Sequence, residues 1–198
     1  HGGSKASTGA PWLGGGPVGP EDGGWSDVVG ASALPFAEGY RTPVELDEEG
    51  MAAVIAAFAA AARRMDEAGA EVVEIHAAHG YLLHQFLSPL SNRREDAWGG
   101  SFENRTRLVR ETVAAVREVW PGDKPLWLRI SATDWVEGGW DEDQSVELAR
   151  QVKELGVDLV DCSSGGAAPD AVIPVGPGFQ VPFAERIRRE AGVATGAV

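Results

Sequence analysis

Apolar residues recur along this 198-residue chain with two alternating spacings, one typical of amphipathic helices and one typical of buried strands. The helical spacing is supported by capping and stop residues at its ends, and it predicts helices at residues 47–68, 101–120, 143–155 and 182–190. Short runs rich in β-branched residues predict strands at residues 71–76, 126–131 and 157–162, with the beginning of another at 193–198.

The alternation of strand and helix with short connections predicts a parallel sheet covered by helices. A doubly wound nucleotide-binding sheet favours a G-x-G-x-x-G turn directly after a strand, and none of these strands is followed by one. Unusual polar residues instead stand at the predicted strand ends: His76, Arg129 with Ser131, and Ser163 with Ser164. We therefore predict an α/β fold, a (β/α)8 TIM barrel present as an incomplete central portion of about four to five βα units.

We interpret residues 1–198 as a single incomplete barrel domain. Residues 8–46 form a Gly/Pro-rich excursion after an early strand, whose tail we place at His1. Within this excursion, Trp12 and Trp25 either cover a pocket or pin the loop to the surface. The chain opens on His1 and stops within an apolar run, so we expect both ends to be artificial.

The charge of the chain argues against two classes of partner. There are 30 acidic and 17 basic side chains, a formal charge of -13, which repels phosphate backbones and anionic lipid surfaces. The single cysteine, Cys162, excludes an intrachain disulfide framework, and no apolar run reaches the roughly 20 residues of a membrane span. We expect a cytoplasmic protein that binds neither nucleic acid nor membrane.

Three of the four histidines fall in one short segment at the end of the first predicted strand. Two neutral imidazoles, those of His76 and His79, could each donate an N–H to a carbonyl or nitro oxygen and stabilise its developing negative charge. Alternatively, they satisfy backbone carbonyls, or they bind a metal with Glu74 or Asp134, although no zinc-type spacing is present. His84 lies in an apolar stretch and is interpreted as a packed or capping residue.

Arg129 interrupts an otherwise apolar strand, and a buried guanidinium needs an anionic partner. Side-chain alternation allows a buried ion network with Glu74 and Asp161, or a contact from Arg129 to the electron-rich edge of a cofactor. The pattern does not choose between these. Tyr81 is either a proton donor or a packed aromatic. Cys162 sits in an apolar strand and is assigned no chemistry.

Several sequence motifs occur together in this chain. Within residues 74–105 stand EIHAAHGYLLHQFLSPLSNRRED and WGGSFENR, and elsewhere stand HGGSK, LWLRISATDW, DLVDCSSGG, PGFQVPFAERIR and ATGAV. Together they resemble the Old Yellow Enzyme family of NADH:flavin oxidoreductases and ene-reductases, particularly its bacterial branch of xenobiotic reductases and thermophilic-like enzymes. The resemblance covers nearly the whole chain.

This resemblance implies a TIM barrel that holds non-covalent FMN, takes hydride from NADPH or NADH, and reduces activated alkenes such as enones, enals, maleimides or nitro compounds. It implies that His76 and His79 bind the substrate oxygen, that Tyr81 donates the proton and that Arg129 contacts the flavin, with no metal. It also implies a homodimer or homotetramer when complete. Other flavin-contacting strands and the phosphate site near the end of a barrel are absent from the sequence, so we expect the isolated chain to be inactive. A metal-dependent barrel hydrolase or lyase is the alternative enzyme class.

Overall fold

The computed structural model describes residues 1–10 and 15–198, so Trp12 lies outside the described residues. Its helices are α1 (Glu48–Glu67), α2 (Leu82–Leu87), α3 (Phe102–Val119), α4 (Glu142–Glu154) and α5 (Val181–Ala191). Its strands are β1 (Val29–Gly30), β2 (Val44–Glu45), β3 (Val73–Ala77), β4 (Leu126–Ser131), β5 (Leu159–Ser163) and β6 (Ala194–Ala197). Short 3-10 turns occupy Gly3–Lys5 and Pro20–Asp22.

The main sheet has four parallel strands in the order β3-β4-β5-β6. Its register places His76 beside Arg129 and Arg129 beside Asp161. At the carboxyl end of β4 and β5, Ser131 lies beside Ser163. The sheet therefore brings the polar residues of successive strands to one edge, as parallel strands do.

The two faces of the sheet differ in polarity because side chains alternate along each strand. The face covered by helices is apolar and buried, with Ile75, Leu128 and Val160 among its residues. The opposite face carries Arg129 and Asp161, which are only partly buried. In a closed barrel this second face is the interior, so charged groups there line the site rather than the hydrophobic core.

The four predicted helices begin and end within one residue of the predicted bounds, because local signals are present at their ends. Asp47, Ser101 and Asp141 each accept a backbone N–H of the first turn of α1, α3 and α4. Gly192 adopts the left-handed conformation with φ of 66° just after α5. Among the described residues, no helix is long and apolar enough to cross a bilayer.

His1 lies in none of the described strands, and an early strand before the excursion stays a prediction. The segment Gly3–Lys5 forms a 3-10 turn, and the carbonyl of His1 accepts the N–H of Leu82 at 3.1 Å instead of joining a strand ladder. The Gly/Pro-rich excursion is also more ordered than predicted, since β1 and β2 pair in parallel. Trp25 is 54% exposed, and its ring centroid lies 5.8 Å from that of His1, so it packs the excursion against the start of the chain.

The helix α2 was not predicted. All six of its residues are buried, including the polar His84 and Gln85, so its sequence shows no amphipathic period. The predicted strands at 71–76 and 157–162 also begin two residues later, at Val73 and Leu159.

Candidate active site

The structure brings together three of the residues that the sequence singled out. His76 lies near the carboxyl end of β3, and His79 and Tyr81 lie in the turn that follows. The ring centroid of His76 is 5.0 Å from that of His79 and 5.5 Å from that of Tyr81. Two imidazoles and a phenol thus lie together at the end of the sheet where barrel enzymes bind their ligands.

The turn that carries His79 has an uncommon backbone conformation. His79 and Gly80 are consecutive left-handed residues, with φ of 61° and 70°. A Cβ atom on Gly80 would lie 2.0 Å from the carbonyl oxygen of Gly166, so only glycine fits. The backbone N–H of His79 donates to Oγ of Ser131 at 2.9 Å, and this hydroxyl donates to Gly165 at 2.8 Å.

The ring of His79 is held from the neighbouring strand. Its Nε2 atom lies 2.6 Å from Oγ of Ser163 at the end of β5. In this arrangement the His79 nitrogen left for a ligand is Nδ1. The sequence marked Ser131 and Ser163 as polar strand-end residues but assigned them no role, because their contact with His79 depends on strand register.

Both histidines of the pair have lowered pKa values. Burial lowers the pKa of His79 to about 4, with further contributions from the neighbouring charges of His76 and Arg129. Burial also lowers the pKa of His76, again assisted by Arg129. Neutral imidazoles each carry one N–H. The Nε2 atom of His76 is shielded from solvent and has no hydrogen-bond partner among the described residues.

Lys5 was missed by residue-level reasoning, although it belongs to the HGGSK motif. Its Nζ atom donates to the carbonyl of His79 at 2.9 Å and to that of Gly166 at 3.0 Å. The ammonium also lies 4.5 Å from the ring centroid of Phe36 and 5.4 Å from that of Tyr81. Burial lowers the pKa of Lys5. Lys5 therefore ties the histidine turn to the loop after β5.

Arg129 lies between two carboxylates on the inner face of the sheet. Its Nε atom is 3.5 Å from Oδ2 of Asp161, and its Nη1 atom is 4.0 Å from Oε1 of Glu74. Burial and the charge of Asp161 raise the pKa of Glu74, while Arg129 opposes that shift. The ion network allowed by the sequence is therefore present. Both contacts are long, and the Arg129 side chain is 22% exposed.

His84 packs inside the fold, as its apolar surroundings predicted. Its side chain is 0% exposed and lies 3.0 Å from Asp134. Asp134 and Glu74, the additional ligands of the metal hypothesis, thus contact His84 and Arg129 instead. Within residues 1–10 and 15–198, no three His, Cys, Asp or Glu side chains group so as to hold a metal ion. Burial raises the pKa of Cys162 to about 12, consistent with its assignment as an inert buried residue.

Bacterial NADPH dehydrogenases are similar in sequence to most of this chain. The NADPH dehydrogenase of Geobacillus sp. (strain WCH70) is 54% identical over 172 residues, which cover 87% of this chain and 50% of that protein. The NADPH dehydrogenase of Bacillus subtilis (strain 168) is 52% identical over 172 residues, with the same coverage of 87% and 50%. The chain therefore spans about half the length of the curated relatives that it matches.

Solved structures of similar fold confirm the predicted TIM-barrel class. A 2-naphthoyl-CoA reductase in complex with 2-naphthoyl-CoA has a TM-score of 0.78 and 32% identity, over 86% of this chain and 26% of that one. Morphinone reductase has a TM-score of 0.69 and 28% identity, over 87% of this chain and 49% of that one. An Old Yellow Enzyme homologue from Zymomonas mobilis shares the fold, with a TM-score of 0.70 and 21% identity, over 87% and 50% of the two chains.

A family model described as NADH:flavin oxidoreductase / NADH oxidase matches residues 17–194. The Old Yellow Enzyme resemblance is thereby confirmed, and the family supports the prediction of FMN as cofactor. The chain belongs to the NADH:flavin oxidoreductase / NADH oxidase family.

Proposed function

We propose that the complete protein is an ene-reductase that takes hydride from NADPH or NADH and reduces activated C=C bonds of α,β-unsaturated carbonyl or nitro compounds. One observation carries this proposal. The neutral imidazoles of His76 and His79 lie 5.0 Å apart between ring centroids, with the phenol of Tyr81 beside them, at the carboxyl end of β3.

The residues on the inner face fit a flavin. Arg129 presents a partly exposed guanidinium there, and the shielded Nε2 atom of His76 has no protein partner among the described residues. A cation and a polar ring nitrogen are the groups that an electron-rich heterocycle with carbonyl and ring-nitrogen edges requires. We propose that Arg129 contacts the flavin, which when bound supplies the hydride.

The histidine pair would bind the substrate through its carbonyl or nitro oxygen. Two neutral N–H donors that converge on this oxygen withdraw electron density from the conjugated double bond and make its β-carbon electrophilic. Their hydrogen bonds strengthen as negative charge accumulates on the oxygen, so they stabilise the transition state more than the ground state. The lowered pKa values of His76 and His79 keep both rings neutral at neutral pH, so each ring has one N–H to donate and one lone pair.

Tyr81 would complete the reduction. Its side chain is 38% exposed, so the hydroxyl can exchange its proton with solvent. Its ring lies beside His76, which places the hydroxyl close to an alkene whose oxygen the histidines hold. We assign Tyr81 the delivery of the proton to the α-carbon of the substrate, as a general acid.

The names of the relatives support this assignment, since they include NADPH dehydrogenases, morphinone reductase and a 2-naphthoyl-CoA reductase. As the resemblance implies, we further propose that the complete protein is a cytoplasmic homodimer or homotetramer. We also propose that the isolated chain, a single incomplete domain, retains no stoichiometric FMN. The exposed edges of β3 and β6 would make it prone to aggregation.

The decisive experiment uses what we call the completed barrel, in which this chain replaces its counterpart in the Geobacillus NADPH dehydrogenase. Its visible absorption spectrum is recorded anaerobically before and after NADPH, and again after cyclohexenone. We expect a flavin band that NADPH bleaches and the enone restores. A folded but colourless protein, or a bleached flavin that the enone leaves unchanged, would contradict the proposed function. The isolated chain, purified in parallel, tests whether FMN retention needs the whole barrel.

A further inference from the structure

A third histidine and a carboxylate lie buried beneath the active-site turn. The side chains of His84 and Asp134 are each 0% exposed, and His84 Nε2 is 3.0 Å from Asp134 Oδ1. His84 lies in α2, and Asp134 follows β4. Neither residue has a role in the proposed reaction, and a buried carboxylate needs a structural or functional reason to be retained.

The hydrogen bonds of His84 define its tautomer. Its Nδ1 atom accepts the backbone N–H of Gly80 at 2.8 Å, so Nδ1 carries a lone pair and the ring proton is on Nε2. This N–H faces Asp134. A carboxylate next to one ring nitrogen is the usual means by which proteins fix the tautomer and orientation of a histidine.

Asp134 is itself fixed from the other side. Its Oδ2 atom accepts hydrogen bonds from Oγ of Ser88 at 2.5 Å and from the backbone N–H of Trp140 at 2.8 Å. Burial alone would raise the pKa of Asp134, but the interactions with His84, Ser88 and the Trp140 N–H lower it below the ordinary value. The carboxylate therefore stays charged and in one orientation.

The group that His84 holds is the peptide between the two active-site side chains. Gly80 stands between His79 and Tyr81, and its carbonyl accepts from Nε2 of Gln85 at 2.7 Å. Side chains of α2 thus bind both the N–H and the carbonyl of Gly80. Because His79 and Gly80 are consecutive left-handed residues, no regular ladder or helix bond is available to do this.

We propose that His84 and Asp134 are positioning residues. Asp134 fixes the Nε2–H tautomer of His84, whose Nδ1 atom then accepts the N–H of Gly80. This contact orients His79 and Tyr81 for the substrate. This inference rests on the proposed function. It gives a physical reason for burying His84 beside the Asp134 carboxylate: a small rotation of the Gly80 peptide would redirect the side chains on both sides of it.

Two matched substitutions separate the two contacts of the ring. His84→Asn keeps an acceptor at the position of Nδ1 and shortens the side chain away from Asp134, whereas His84→Gln keeps an N–H donor at the position of Nε2 and loses the acceptor. In the completed barrel we expect His84→Gln to weaken cyclohexenone binding about tenfold or more, as the loss of a buried hydrogen bond does. His84→Asn should recover most of that affinity. Bleaching of the flavin by NADPH serves as the control that both variants fold and bind FMN.

The proposal would be overturned if His84→Gln bound the enone as tightly as the unsubstituted protein. It would also be overturned if His84→Asn lost as much enone affinity as His84→Gln. The ring nitrogens of the unsubstituted completed barrel provide a test that needs no variant to fold. Their nitrogen chemical shifts should report a protonated Nε2 and an unprotonated Nδ1 in His84, and a protonated Nδ1 would refute the Gly80 contact. If the unsubstituted protein failed to reduce the enone, the proposed function would fall. The tautomer and the solvent exchange of the Gly80 N–H would then still show whether the pair holds the turn.

Discussion

The close approach of Gly80 to the loop after β5 predicts a large effect of a single methyl group. In Gly80→Ala the new Cβ atom would lie 2.0 Å from the carbonyl oxygen of Gly166. An unstrained contact between these two atoms needs about 3.5 Å, so the backbone at Gly80 or at Gly166 must move by more than about 1 Å. Gly166 cannot move freely, because its carbonyl also accepts a hydrogen bond from Lys5 at 3.0 Å.

Two costs contribute to the expected loss of stability. A non-glycine residue in the left-handed region costs about 1 kcal/mol relative to glycine. Displacing the Gly166 carbonyl removes its hydrogen bond from the partly buried ammonium of Lys5, which costs about 2 kcal/mol. We therefore expect Gly80→Ala to lower the free energy of unfolding by about 3 kcal/mol, provided that the two costs add.

Gly100→Ala is the matched control. Gly100 has φ of 76°, close to the 70° of Gly80, but no atom lies within 4 Å of the position its Cβ would take. The control therefore carries the backbone cost of about 1 kcal/mol without the displacement. Urea unfolding of the completed barrel measures both, and enone binding should weaken only in Gly80→Ala, since Gly80 lies between His79 and Tyr81. Equal destabilisation by the two substitutions would refute the reasoning.

Three further predictions concern the side chains of the site. His76→Ala should lower kcat/KM for the enone by about 10²- to 10³-fold, as the loss of one oxyanion donor does, while NADPH still bleaches the flavin; a normal enone rate would remove His76 from the substrate site. Tyr81→Phe should slow the enone step about 10²-fold and leave enone affinity unchanged, so a rapid single-turnover reoxidation would exclude Tyr81 as the proton donor. Arg129→Met should abolish flavin retention and leave Asp161 without its cation; a variant that keeps full flavin occupancy would assign Arg129 to the ion network alone. A fourth prediction concerns pH: because the pKa of His79 is lowered to about 4 from an ordinary 6.5, its contribution to stability is complete above pH 6.5 and is lost as the pH falls towards 4. His79→Gln should therefore show a smaller decrease in urea midpoint over that range, and an identical pH dependence would contradict the lowered pKa.

Local sequence signals were sufficient for much of the fold. Capping residues such as Asp47 and Ser101 set helix starts because their side chains bond backbone groups three residues away, an interaction that needs no tertiary contact. The strand at 126–131 was predicted with the bounds that the structure gives. The short strands β1 and β2 were not predicted, since two-residue pairs carry no periodic pattern.

The sequence by itself determined which residues gather at the end of β3. His76, His79 and Tyr81 stand within one short segment, so any structure that ends a strand there places them near one another. Alternation along parallel strands likewise placed Arg129 on the face of Asp161. These inferences depend only on spacing along the chain, which is why they could be made before the structure.

Only the tertiary structure decided how these residues are oriented and supported. Lys5 reaches His79 from 74 positions away, and Ser163 contacts its ring from 84 positions away. His84 and Asp134 pair beneath the turn although they lie in separate elements. No local pattern encodes such contacts, because they depend on strand register and on the path of the intervening loops. The chain sequence thus specified the chemical groups of the site, whereas long-range packing specified their geometry.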